Sequence, residues 1–215
     1  MTTMPVDNGF FITSRFGQRD GGFHWGTDYG RDGGSGGHPV YAVKSGTVTR
    51  AESASGFGSW VTVDHPASNG GGETIYGHVI PEVARGQHVA EGQRIARIHP
   101  TKGPGNGNVD PHLHFEWHRY SWVPPGPNRL NPEDMLKHAQ WPGEIIREGF
   151  DSRVLAEIMG CSLERAHQMF DGYVWAMQAA GITNVRRAAM FAAQIGHESV
   201  GLQYMEEIAT GTDYE

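Results

Sequence analysis

The sequence predicts a β-rich α+β protein: an antiparallel β-sheet domain followed by a short all-α segment. Three observations carry this expectation. Ten of the twelve histidines and 23 of the 31 glycines lie in residues 1–140. In that stretch, short alternating or β-branched runs recur between turn signals such as GGSGG, SGFGS and SNGGG. Beyond it, the pattern turns helical, with cap and stop residues in the expected places. Pro124, Pro125, Pro127, Pro132 and Pro142 interrupt regular structure between the two parts. The expected organisation is a β domain over 1–140, a linker over 141–150 and a helical segment over 151–215.

Six strands are expected in chain order: His38–Val43, Gly46–Arg50, Trp60–Asp64, Glu73–Gly77, Arg94–Ile98 and Leu113–Trp117. Short strands at this spacing favour a sheet or barrel with active groups along one rim. In the tail, Asp151 is the expected N-cap of SRVLAEIMG, and Ser162 opens the helix running through AHQMFDGYVWAMQAAG. Gly181 is the expected stop, with a third helix over Thr183–Ile195.

Composition removes several function classes. A single cysteine, Cys161, excludes an internal disulfide and any multi-cysteine metal site, and is expected as a partly buried free thiol. A net charge of −7 argues against nucleic acid as a partner. No run reaches the ~18 apolar residues of a membrane span, and no phosphate-loop pattern occurs. The start MTTMPVDNGFF lacks the basic and apolar regions of a signal peptide, so synthesis in a cytoplasm is expected. A monomer is the default.

The chemistry concentrates in two short runs. FHWGTD sets His24 and Asp28 four apart, and PHLHF sets His112 and His114 two apart. On a strand, even spacing sends both members of a pair to the same face, with Leu113 and Phe115 on the other. The glycines around FHWGTD disfavour the helical alternative. Two histidines and a carboxylate are the usual protein ligands of a catalytic zinc.

Taken together, SRFGQR (14–19), FHWGTDYG (23–30), HPVYAVKSGTV (38–48), ETIYGHV (73–79), ARGQHVAEGQRIA (84–96), DPHLHFEW (110–117) and NPEDML (131–136) resemble the M23 metallopeptidase family of LytM/lysostaphin-type peptidoglycan endopeptidases. The resemblance covers roughly residues 9–138. It implies one Zn2+ held by His24, Asp28 and His114, with His78 and His112 as catalytic histidines. The implied reaction is hydrolysis of a peptide bond in bacterial peptidoglycan. Zinc lowers the pKa of bound water to ~7, and the two histidines exchange protons with the reacting groups. The loop before HLHF departs from the family pattern in carrying Asp110 where a small residue is usual, which predicts altered substrate contacts and retained zinc. His65 is expected to be structural, and His38, His88, His99, His118 and His138 are expected in loops or at the surface.

The tail resembles the beginning of a phage-type glycoside hydrolase of family 19, through FDSRVLAEIMGCSLERAHQMF and AAGITNVRRAAMFAAQIGHESVGLQYMEE. The resemblance maps the general acid to Glu198 and the general base to Glu207, with Glu206 a close competitor. Only about 65 residues of that resemblance are present, so an incomplete segment without glycosidase activity is expected. The two resemblances together imply part of a bacteriophage or prophage endolysin, acting on the cell wall after holin-type release. A virion-associated wall hydrolase shares the chemistry. The rival class is a degenerate, non-catalytic wall-binding or regulatory module.

Overall fold

The computed structural model describes residues 2–142, 150–180, 182 and 185–204. The chain divides into two compact units, Met1–Pro142 and Gly143–Glu215.

The first unit begins with four short strands: β1 (Phe11–Ser14), β2 (Gly17–Arg19), β3 (Gly22–His24) and β4 (Thr27–Gly30). Next come β5 (Pro39–Tyr41), β6 (Gly46–Ala54), β7 (Gly58–Asp64), β8 (Glu73–Gly77) and β9 (Val79–Pro81). The last are β10 (His88–Val89), β11 (Arg94–Ile98), β12 (Leu113–His118) and β13 (Arg129–Leu130), before a short helix α1 (Pro132–Leu136). The main sheet runs β1-β4-β12-β8-β7-β6-β10, with β13 beside β12. A second sheet has the order β5-β11-β9, and β2 and β3 form a separate hairpin. All of these strand pairings are antiparallel.

Each of the six expected strands overlaps a real one. The β6–β7 hairpin reaches further than its apolar pattern, because Arg50, Glu52 and Ser53 extend it as a solvated arm to the Ala54↔Gly58 pair. The extra strands span two to four residues and are fixed by their partners, so they leave no periodic trace. The core between the layers gathers Val40, Val61, Val63, Tyr76, Ile95, Ile98, Leu113 and Phe115. Every one of these is essentially inaccessible to water, which supplies the main driving force for the unit.

The second unit is helical: α2 (Ser152–Met159), α3 (Leu163–Ala179) and α4 (Val185–Glu198). The Asp151 carboxylate accepts hydrogen bonds from the backbone N–H of Arg153 and Val154. Gly160, at φ 64°, ends α2 in the left-handed conformation. Ser162 Oγ accepts from Arg165 N at 3.2 Å at the start of α3. The expected stop Gly181 and the start of the third helix at Thr183 lie outside the described residues. A separate apolar core holds Leu155, Met159, Ala166, Val174, Met177 and Leu202, with the Tyr173 and Phe191 rings 5.3 Å apart. Cys161 packs partly buried against it.

Candidate metal and catalytic site

The site is organised by β12, which lies between β4 and β8. Alternation sends Leu113 and Phe115 into the core and turns His114, Glu116 and His118 to the other face. Register sets His114 beside Asp28 of β4 and Gly77 of β8. Asp28 Oδ1 lies 2.8 Å from His114 Nδ1. His24 Nε2 lies 3.1 Å from His114 Nδ1 and 3.2 Å from Asp28 Oδ1. These three donor atoms fall within 4.8 Å of one another.

The HxxxD pair converges by a different route from the one its spacing predicts. His24 ends β3 in the small hairpin, whereas Asp28 sits on β4 in the main sheet, so no single strand carries both. Trp25 and Gly26 turn the chain between them. A Cβ at Gly26 would come within 2.6 Å of the His114 ring, so only glycine admits the turn so close to that histidine.

Each histidine is held through its other ring nitrogen. His24 Nδ1 donates to the Arg15 carbonyl at 2.9 Å, leaving Nε2 with its lone pair towards the cluster. His114 Nε2 donates to Glu116 Oε1 at 3.0 Å, so that Nδ1 is the nitrogen turned to the cluster. Glu116 is buried, and also takes His118 Nε2 at 2.6 Å and Arg129 Nη1 at 3.1 Å. His118 is therefore not the loop or surface residue expected, but a fully buried residue of β12. The alternation from His114 was the signal that places both Glu116 and His118 behind the site.

The electrostatics follow from this packing. Burial raises the Asp28 pKa, but the adjoining His114 and His24 imidazoles outweigh it and hold the carboxylate well below its ordinary range. Burial lowers His114, yet its bonds to Asp28 and Glu116 push it up to about 9. Burial likewise raises Glu116, while the bonds from His114 and His118 bring it down to about 2. The anionic cluster thus holds one proton that a divalent cation would displace. Two imidazole nitrogens, each ring backed through its other nitrogen, and one carboxylate oxygen suit zinc.

His78 joins β8 of the main sheet to β9 of the second sheet and adopts φ 64°. Its Nδ1 donates to the Asn106 carbonyl at 2.8 Å. Burial, then the positive fields of His112 and His114, push its pKa down to about 4, so the ring is neutral at pH 7. The His112 ring centre is 4.7 Å away. His112 Nδ1 donates to the Asp110 carbonyl at 2.7 Å, and its Nε2 faces Asp28 Oδ1 at 3.6 Å. The Phe57 ring flanks His78 and His114, lying over Gly77, where a Cβ would meet it at 2.3 Å.

Asp110 orients His112 through its backbone. Its side chain is exposed, 3.4 Å from Lys102 Nζ. A cleft of about 730 Å³ opens on Asp28 and His112. Away from it, His65 is buried, with Nδ1 3.0 Å from the Ser45 carbonyl and Nε2 2.9 Å from Thr74 Oγ1. Glu198 is exposed at the end of α4 and accepts from Gln194 Nε2 at 2.7 Å. Glu206 and Glu207 lie outside the described residues.

The sequence model described as Peptidase family M23 matches residues 22–128, from β3 to the turn before β13. No curated protein matches the chain. The antimicrobial peptidase lysostaphin from Staphylococcus simulans matches at 25% identity, over 63% of this chain and 54% of its own, with a TM-score of 0.51. A chain of the SpoIIIAH and SpoIIQ complex shares the fold at 21% identity, over 63% of this chain and 99% of its own, with a TM-score of 0.51. A zinc-containing peptidase from Vibrio cholerae is 32% identical over 53% of this chain and 35% of its own, with a TM-score of 0.43. The match thus spans about half of the lysostaphin chain and about a third of the Vibrio one.

Proposed function

We propose, from the premise that residues 22–128 form a peptidase family M23 domain, that the chain is a zinc-dependent endopeptidase hydrolysing peptide bonds of bacterial peptidoglycan. The observation that carries the reading is the convergence of His24, Asp28 and His114 donor atoms beside His78 and His112. The match to lysostaphin supports the wall as substrate.

In this reading His24, Asp28 and His114 hold the metal. Zinc bound there supplies a Lewis acid that polarises the scissile carbonyl and acidifies water. The protein's own groups do the remaining work. His78 and His112 each fix Nδ1 on a backbone carbonyl, which sets the tautomer and leaves Nε2 to exchange protons. Neutral His78 takes up a proton from the attacking water, and the pair can return one to the leaving amine. Its Nε2, once protonated, also donates to the oxyanion that develops on the carbonyl. Phe57 packs on His78 and His114 and closes that side of the site.

The test joins metal content to wall cleavage. The purified chain is expected to bind one zinc, to release peptides from purified walls, to lose activity on chelation and to regain it with zinc. Clearing that survives both chelation and His114→Ala would falsify the reading. A non-catalytic wall-binding module would bind walls without releasing peptides. We also carry forward a role as part of a bacteriophage or prophage endolysin, from the pairing of this domain with a tail resembling a family 19 glycoside hydrolase through Glu198 and Glu207. Lysis on co-expression with a holin, against recovery of the protein in purified particles, separates that role from a virion-associated one.

A further inference from the structure

Arg31 directly follows β4, three residues beyond Asp28. Arg31, His38, Thr13 and Asp110 line the cleft that opens on Asp28 and His112. The guanidinium is held in place without being neutralised. It lies over the Phe10 ring at 5.5 Å, its Nη1 donates to His38 Nδ1 at 3.3 Å, and the Arg31 backbone N–H donates to Ser35 Oγ at 3.2 Å. None of the carboxylates among the described residues pairs with it. Asp7 is engaged by Tyr41 Oη at 2.9 Å and faces His38 at 3.8 Å, while Asp110 faces Lys102.

An arginine fixed by packing, with its charge unmatched inside a cleft, is built to receive a planar anion. A strand advances ~3.3 Å per residue, so Arg31 lies roughly 10 Å along the chain from Asp28. An extended peptide in the cleft covers that distance in about three residues. We propose that Arg31 is a specificity residue that binds a free carboxylate of the substrate peptide, about three residues from the cleaved bond. The chain then selects stem peptides whose carboxyl groups are free over those in which they are amidated. This inference rests on the peptidase reading above.

The test uses soluble cross-linked muropeptides, which carry no wall phosphate, prepared as free acids and with their carboxyls converted to amides. The zinc-loaded full chain is expected to favour the free acids by ten- to a hundredfold in kcat/KM, mostly through KM, as for loss of a charge-assisted hydrogen bond. Arg31→Met should bring that ratio close to one, and Arg31→Lys should keep part of it. Equal cleavage of both forms by the unaltered chain overturns the role of Arg31 and leaves the peptidase reading standing. An equal loss on both forms in Arg31→Met does the same. Cleavage of neither form, with zinc bound, overturns both.

Discussion

The two units bury different kinds of side chain. Among the described residues of the helical unit, the interior is apolar apart from Ser199 and the Tyr173 hydroxyl, and α2, α3 and α4 meet through Leu155, Met159, Val174, Met177 and Ala192. The β unit buries His24, Asp28, His65, Glu73, His78, Glu116, His118 and Arg129 as well as its aliphatic core. Buried ionisable groups cost stability unless each is matched; here His24 meets Asp28, Glu116 meets His118 and Arg129, Glu73 meets Arg50, and His65 and His78 bond backbone carbonyls. The helical interior is what amphipathic helices form by local pattern alone. The β interior is organised around a chemical task, and its polar groups come from strands far apart in sequence.

The sharpest way to break this contrast is at the ligand cluster. His114→Ala is expected to abolish stoichiometric zinc binding and to reduce peptide release by at least about 1000-fold, read by metal analysis and muropeptide chromatography. Next in size, Leu155→Ala in the helical core should destabilise that unit by about 2–5 kcal/mol, followed by far-UV circular dichroism on heating. Zinc content should not change in that variant, and a matching loss of zinc would mean the units are not independent in the way their interiors suggest. Glu116→Gln preserves the shape of the buried network but replaces one acceptor with a donor facing His118 or Arg129. Zinc affinity is expected to weaken about 10–100-fold by competition titration, and an unchanged affinity would make Glu116 structural only.

The smallest effect concerns His65. Burial lowers its pKa below the ordinary 6.5, more than the bond to the Ser45 carbonyl raises it. The unfolded chain therefore binds a proton that the folded chain refuses. Stability from this residue is complete above about pH 6.5 and declines as the pH falls below it. Urea midpoints should drop more between neutral and mildly acidic pH for the unaltered protein than for His65→Gln; identical drops would remove His65 from the balance.

The comparison also explains what was legible in the sequence. Helical caps announce themselves locally, so Asp151, Gly160 and Ser162 mark α2 and α3 without reference to anything distant. On β12, strict alternation makes His114 and its apolar neighbours equally legible. His24 and Asp28 are recognisable as a pair from their spacing, but two strands carry them and not one. The turn at Trp25 and Gly26 depends on the His114 ring, 88 residues after Gly26, and no local rule reports that contact. His118 departs from its expected place for the related reason that its burial is created by Glu116, Trp122 and the arrival of β13. Arg31 carries no sequence signal, because its significance lies in which carboxylates fail to reach it.

The left-handed conformation of His78 has a mechanical consequence. A non-glycine residue held at φ 64° works against its own torsional preference by on the order of 1 kcal/mol or more, so its surroundings must latch it there. One neighbour, Gly77, is zipped to His114 in the main sheet, and the other, Val79, to Ile98 in the second. The His78 backbone is therefore a rivet between two sheets, and its imidazole is carried on it. Swinging it out of the cleft would require the chain to untwist on both sides at once, so the ring and the seam between the sheets should fail together.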